Sequence, residues 1–202
     1  EAKAVLITTG STRRKLDIPG ADIFEHKGIT YCASCDGPLF SGQDVTVIGG
    51  GNAALETVAQ LAAYCKSVTI IIRGERFRAD EITVQKVLSL PNVKSVTNAT
   101  LLEVRGKTFA DTLVYKKTDT GEKVEHKTAG IFVEIGLLPI TNFAASLVER
   151  DQWNHVKVDP RTQRTSHPYI WAAGDCTDGL YHQNNIAAGD AIKALENIYL
   201  AL

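Results

Sequence analysis

The run Asp44-Val45-Thr46-Val47-Ile48-Gly49-Gly50-Gly51-Asn52-Ala53-Ala54 decides the fold. Its first five residues have the β-branched texture of a buried strand, and three glycines stop it. Leu55, Val58, Ala59 and Ala62 then recur at the spacing of one helix face, and a second apolar run, Ser67 to Ile72, follows at once. Strand, glycine turn, helix, strand within about thirty residues is the βαβ unit of a doubly wound α/β fold. The turn also fits Gly-x-Gly-x-x-Ala, with Gly49 and Gly51 allowing a tight bend and a close approach of a pyrophosphate to the helix start. A dinucleotide site is expected there, against the alternative of a merely structural turn.

The end of the next strand distinguishes coenzymes, since an acidic side chain there suits the free ribose of NADH and arginines suit the 2′-phosphate of NADPH. This chain has Ile72-Arg73-Gly74-Glu75, with Arg76 and Arg78 close by. Arginines and Glu75 pull in opposite directions, so NADPH and NADH both stay open, with a slight lean to NADPH.

Upstream lies Cys32-Ala33-Ser34-Cys35-Asp36. Two sulfurs three residues apart can close to a disulfide and reopen by exchange. The same spacing serves half of a zinc site, but Cys65 and Cys176 are isolated and no His-x-x-x-His follows, which disfavours metal. Asp36 is placed to pass a proton to or from a thiolate, or to cap a helix; spacing alone does not choose. Cys65, late in an apolar helix, and Cys176 read as buried thiols. His26, His126, His155 and His167 lie in polar, loop-like stretches and receive no role.

Farther out, Ala4 to Thr9 reads as a strand buried on both faces and ended by Gly10, and Ser11 to Gly28 as loop with a Pro19-Gly20 turn. Asp80 to Leu90 reads as helix. Val93–Thr97, Leu101–Arg105, Leu113–Lys117 and Val124–Lys127 read as strands of a β-meander inserted in the α/β domain. Ile131 to Gly136 is another buried strand, after which Pro139 and polar residues break the pattern. Tyr169 to Ala173 is a strand stopped by Gly174-Asp175, and Asn185 to Leu202 a helix with Ile186, Ala187, Ala191, Leu195 and Ile198 on one face.

The bulk numbers are those of an ordinary globular chain: 202 residues, 44% hydrophobic, 22% charged, net charge −1. No basic excess argues for nucleic acid, no apolar stretch approaches the ~20 residues of a membrane span, and no signal-peptide layout opens the chain. A cytoplasmic location is the expectation. The chain starts without Met on what reads as a buried strand, so an upstream segment is expected.

Taken in order, Cys-x-x-Cys-Asp-Gly, Val-Ile-Gly-Gly-Gly-Asn, Gly-Leu-Leu-Pro and Ala-Ala-Gly-Asp resemble the low-molecular-weight thioredoxin reductases, and equally the flavoprotein component of alkyl hydroperoxide reductase. The resemblance implies a two-domain, three-layer FAD/NAD(P)-binding Rossmann-like flavoprotein, truncated at its N-terminus, with residues 1–15 and 134–202 belonging to the FAD domain and 16–133 to an NAD(P)H domain carrying the Cys pair. It implies electron flow from NAD(P)H through FAD to the Cys32–Cys35 disulfide and on to a thioredoxin- or glutaredoxin-like protein, in a homodimer. Cys35 would face the flavin, Cys32 would attack the protein substrate, and Asp36 would serve as acid/base. Gly49, Gly51, Asn52, Ala53 and Glu56 would line the nicotinamide dinucleotide with Arg73 and Arg78, and Ile135 and Gly136 would lie near the domain crossing. Thr9, Gly10, Gly174 and Asp175 would meet FAD, with His182, Gln183 and Asn184 against its isoalloxazine.

Two departures stand out. The His-Arg-Arg run of NADPH users is reduced here to Arg73 and Arg78, and the flavin contact, commonly Arg-Gln or Lys-Gln, is His182-Gln183. The first Gly-x-Gly-x-x-Gly of the family belongs upstream of Glu1, so the chain as given is expected to hold FAD weakly or not at all. A dithiol oxidase of the same fold and a non-catalytic dinucleotide-binding module are the competing readings.

Overall fold

The computed structural model describes residues 1–202. In chain order, β1 (Val5–Ile7), β2 (Ser11–Arg13) and β3 (Ile29–Thr30) precede a one-turn helix, α1 (Ala33–Asp36). Then come β4 (Asp44–Ile48), α2 (Asn52–Ala62), β5 (Ser67–Ile71), α3 (Glu81–Leu88) and β6 (Val93–Val96). The strands β7 (Ala99–Gly106), β8 (Ala110–Lys117), β9 (Lys123–Lys127) and β10 (Gly130–Val133) follow, and β11 (Leu137–Pro139), β12 (Ile170–Ala172) and α4 (Asn184–Ala201) complete the chain. The residues divide into two compact units, Arg13–Gly136 on the one hand, Glu1–Thr12 with Leu137–Leu202 on the other.

In the unit Arg13–Gly136, a parallel five-stranded sheet runs in the order β3-β10-β4-β5-β6. Its inner strands carry apolar side chains on both faces because both are covered, whereas β6 at the edge exposes Lys94 and Ser95. Val45, Val47, Val68, Ile70 and Phe132 point to one side and pack with Leu55, Val58 and Leu61 of α2 and Val87 of α3. Ile48, Ile71, Ile131 and Val133 point to the other and meet Val104, Leu113 and Tyr115 of the antiparallel sheet β7-β8-β9. Each such side chain removed from water contributes roughly 1.5–3 kcal/mol, so period-2 alternation across this sheet drives the three layers together.

Three details differ from the sequence expectation. Val93–Val96 is not part of the meander: it pairs in parallel with β5 as the last strand of the large sheet, because α3 supplies the crossover that a parallel neighbour needs. The buried stripe of α2 is Ala54, Leu55, Thr57, Val58 and Leu61, leaving Ala59 exposed. Cys65 lies beyond the end of that helix, buried, its Sγ against the Phe40 carbonyl at 3.4 Å.

In the other unit, β1 and β12 pair in parallel, and Ile7, Val148, Val156, Ile170, Ala172 and Cys176 form its core. Val5 is 47% exposed, so β1 is not buried on both faces as expected. The stretches read as loop after Gly10 and as a break at Pro139 instead hold β2 and β11, which pair with each other. Helix α4 begins at Asn184, and of its residues only Ala194 is buried, with Leu195 exposed. No helix is long and apolar enough to cross a membrane.

Candidate redox and dinucleotide site

Strand β3 ends at Thr30 and delivers the chain through Tyr31 to Cys32, which is extended and caps α1. The helix turn brings the Cys32 and Cys35 Cα atoms to 5.3 Å, and the two sulfurs are joined as a disulfide. Both sulfurs are thereby used, and no cluster of His, Cys, Asp and Glu able to hold a metal is present. The Cys35 N–H donates to Cys32 Sγ at 3.2 Å. An N–H aimed at a sulfur from a helix start favours its thiolate once the pair is reduced. Cys32 is half-buried and Cys35 exposed.

Asp36 does not act as a cap: its side chain makes no capping bond to the helical turn Gly37–Phe40 that follows. It accepts instead from the hydroxyl of Thr30, whose oxygen also accepts the Cys32 N–H at 3.2 Å. On the opposite side of the turn, Ser34 Oγ donates to Gln60 Oε1 of α2 at 3.3 Å. Thr30 and Gln60 were not singled out in the sequence. A hydroxyl two residues before the first cysteine was the available signal for Thr30.

The glycine turn sits at the other end of the same helix. Gly49 has φ +141°, and a Cβ there would lie 2.1 Å from the carbonyl oxygen of Glu134, an approach that only glycine permits. Gly51 precedes α2 without any side-chain cap, so the first N–H groups of the helix are left for an anionic ligand. Asn52 Oδ1 accepts the Asp80 N–H at 2.9 Å, and the Arg78 N–H donates to the Gly50 carbonyl at 2.7 Å, lacing the segment 73–80 to the turn. Ala53, Glu56, Arg73, Arg76 and Arg78 are exposed, whereas Ile72 is buried with its Cγ2 against Gly50. Ile135 is half-buried, and Gly136 exposed.

Glu134, an acid at the end of an otherwise apolar strand, is the residue whose partners the sequence did not reveal. Its side chain is 7% exposed, pairing with Arg13 Nη1 at 2.7 Å and accepting from Thr57 Oγ1 at 3.0 Å. A buried carboxylate requires such partners, and here they tie the two ends of this unit to α2.

The other unit holds a separate group of expected site residues. Gly174 and Asp175 follow β12, and Ser11 Oγ donates to Asp175 Oδ2 at 3.3 Å. Thr9 Oγ1 donates to the Ile140 carbonyl at 2.6 Å, and Gly10 presents its own carbonyl to the Ile140 N–H. The His182 ring lies 5.7 Å from that of His155, which Asp151 holds through Nδ1 at 3.0 Å. His182 Nε2 is buried without a partner, while Gln183 and Asn184 are exposed at the start of α4. His155 is thus not in open loop surroundings, and neither is His126, which lies on β9 with Nε2 3.0 Å from Thr46 Oγ1.

The pattern of the family described as pyridine nucleotide-disulphide oxidoreductase matches residues 1–191. The NADH dehydrogenase of Bacillus subtilis is 40% identical over 194 residues, and an alkyl hydroperoxide reductase component of Escherichia coli 39% over 195; each alignment takes in 96% of this chain but only 38% and 37% of those proteins. Among solved structures, the thioredoxin reductase of Lactococcus lactis superposes with a TM-score of 0.91 at 34% identity, and that of T. acidophilum with 0.89 at 38%, covering 98% of this chain and 66% of each of those chains. A disulfide on a one-turn helix, a glycine turn opening the helix beside it, and a match over nearly the whole length agree, and the chain belongs to the pyridine nucleotide-disulphide oxidoreductase family.

Proposed function

We propose that this chain carries the disulfide-reducing part of an NAD(P)H-dependent flavoprotein that passes electrons through Cys32 and Cys35 to a thioredoxin-like or peroxiredoxin-type protein disulfide. The observation that carries the reading is the Cys32–Cys35 disulfide with the Cys35 N–H turned onto Cys32 Sγ. That N–H supports the reading of Cys32 as the attacking sulfur once the pair is reduced. Leu39, 73% exposed three residues after Asp36, offers an apolar contact for a protein substrate.

The residues present suit a pyridine dinucleotide and one part of an FAD site, whose first Gly-x-Gly-x-x-Gly the sequence places upstream of Glu1. The uncapped start of α2 with Gly49, Gly51, Asn52 and Ala53 fits a dinucleotide pyrophosphate. For FAD, the buried and unpartnered Nε2 of His182 asks for a polar ligand, and Asp175 stands at a strand end of the same unit, with Thr9, Gly10, Gly174, Gln183 and Asn184 as further contacts. Bound flavin and nicotinamide supply the electron pair that opens the Cys32–Cys35 bond. Buried Ile72 where an acid would hold a free ribose, with Arg73 and Arg78 exposed beside it, favours NADPH.

In the reduced site the Cys32 thiolate attacks one sulfur of the substrate disulfide. That S–S bond breaks, and the departing sulfur takes a proton from the Asp36 carboxyl group. Cys35 then attacks Cys32 Sγ, the Cys32–Cys35 disulfide re-forms, and the Cys35 proton goes with the second substrate sulfur. Two electrons and two protons leave the site, and the substrate becomes a dithiol.

The test is a trap. With a thioredoxin-fold partner activated at a single cysteine as a mixed aromatic disulfide, Cys35→Ser should accumulate a stable protein–protein disulfide through Cys32, while Cys32→Ser should not. Peptide mapping that finds the bond only in Cys32→Ser, through Cys35, would reverse the roles, and no adduct in either variant would sink the reading.

A further inference from the structure

Thr30 is 5% exposed and ends β3, where it pairs in register with Phe132 of β10. Its one hydroxyl makes two bonds: Oγ1 donates to Asp36 Oδ2 and accepts the N–H of Cys32 at 3.2 Å. A hydroxyl has a single proton to give, so with that proton committed to the carboxylate, a lone pair of the same oxygen holds the Cys32 main chain. Asp36 stands between two one-turn helices and its side chain caps neither. Thr30 therefore anchors to the sheet both the carboxylate and the main chain of the first cysteine.

We propose that Thr30 is a positioning residue of the redox site, which sets the direction in which Asp36 gives and takes the proton of disulfide exchange. The inference rests on Asp36 being the acid/base proposed above. A hydrogen bond from a buried, sheet-bound donor fixes a carboxylate far better than water does, and proton transfer to a departing sulfur demands hydrogen-bond reach in a defined direction. Without the hydroxyl, the Asp36 carboxyl group would keep its place in the chain but lose its aim. A purely structural part for Thr30 would instead disturb Cys32 and all its reactions alike.

Two small disulfides separate these outcomes. Bis(hydroxyethyl) disulfide releases an alkyl thiolate that needs a proton, whereas dipyridyl disulfide releases a stabilised one that does not. The reduced 202-residue chain is mixed with each, and re-formation of the Cys32–Cys35 bond is followed by alkylation and mass spectrometry. Thr30→Val should slow the alkyl disulfide roughly tenfold and the aromatic one by no more than about twofold. Thr30→Ser should restore the rate, and Thr30→Val should add nothing in an Asp36→Asn background. Thr30→Ala, measured in the same way, decides the matter if the valine variant does not fold. Equal slowing with both disulfides, or an effect that persists in the Asp36→Asn background, overturns the proposal. If Asp36→Asn slows the alkyl disulfide and Thr30→Val does not, the Thr30 inference alone fails; if Asp36→Asn changes nothing, the acid/base role of Asp36 falls and takes the inference with it.

Discussion

His126 lies on β9, its Nε2 3.0 Å from Thr46 Oγ1, and Thr46 in turn donates to Thr128 Oγ1 at 3.0 Å. Burial pushes its imidazole below the ordinary histidine range; Asp44 pulls the other way and Lys94 adds to the lowering. The folded state therefore holds fewer protons than the unfolded one as pH falls below the unfolded value, ~6.5, and stability drops from there toward the folded value. Urea midpoints measured from neutral pH down through this window should fall for the wild-type chain and fall less for His126→Gln. Parallel curves would show that His126 carries none of the dependence. At this scale the sequence was legible where chemistry is local. Cys32, Cys35 and Gly49 declare themselves by spacing, but Thr57, Glu134 and Arg13 do not, because their partners stand 77 and 121 residues away in the chain. His126 was misread for the same reason: Thr46 is 80 residues distant.

Among the elements, β4 and β5 are readable almost to the residue and α2 by its existence, since two mostly apolar strands, three glycines and a helical stripe leave one arrangement that buries the apolar side chains. β6 was misassigned because Val-Lys-Ser-Val carries no period that separates an edge of the parallel sheet from a meander strand; only α3, as its crossover, decides. β2 and β11 are three residues each, too short to leave a pattern. The segment 73–80 that joins β5 to α3 carries the coenzyme prediction. Calorimetric titration of the chain should give tighter binding of NADPH than of NADH, and the double substitution Arg73→Ala, Arg78→Ala should weaken NADPH by roughly 10- to 100-fold while leaving NADH little changed. Tighter binding of NADH, or arginine substitutions that weaken both alike, would dismiss a 2′-phosphate site.

For the whole molecule, the division into units has a thermodynamic side. The unit Arg13–Gly136 holds two large apolar clusters across its sheet, whereas the other holds one small cluster around Ile7, Ile170 and Cys176 and leaves much of α4 in water. Opening free energy follows buried apolar contact, so amide hydrogens of β4, β5 and β10 should exchange at least about tenfold more slowly than those of β1 and β12. Equal protection in the two sets would mean that the chain unfolds only as a single block. Helix α2 gives the larger unit a further property. It bears the glycine turn at Asn52, the Glu134 contact at Thr57 and the Ser34 contact at Gln60, so these three fittings stand at intervals fixed by a rise of about 1.5 Å per residue. The helix is a ruler, and a ruler cannot gain or lose a mark: one residue inserted between Thr57 and Gln60 would swing the far fitting by about 100° and leave Ser34 facing empty solvent. Substitutions along α2 alter its material, but only its length decides whether the glycine end and the sulfur end belong to the same instrument.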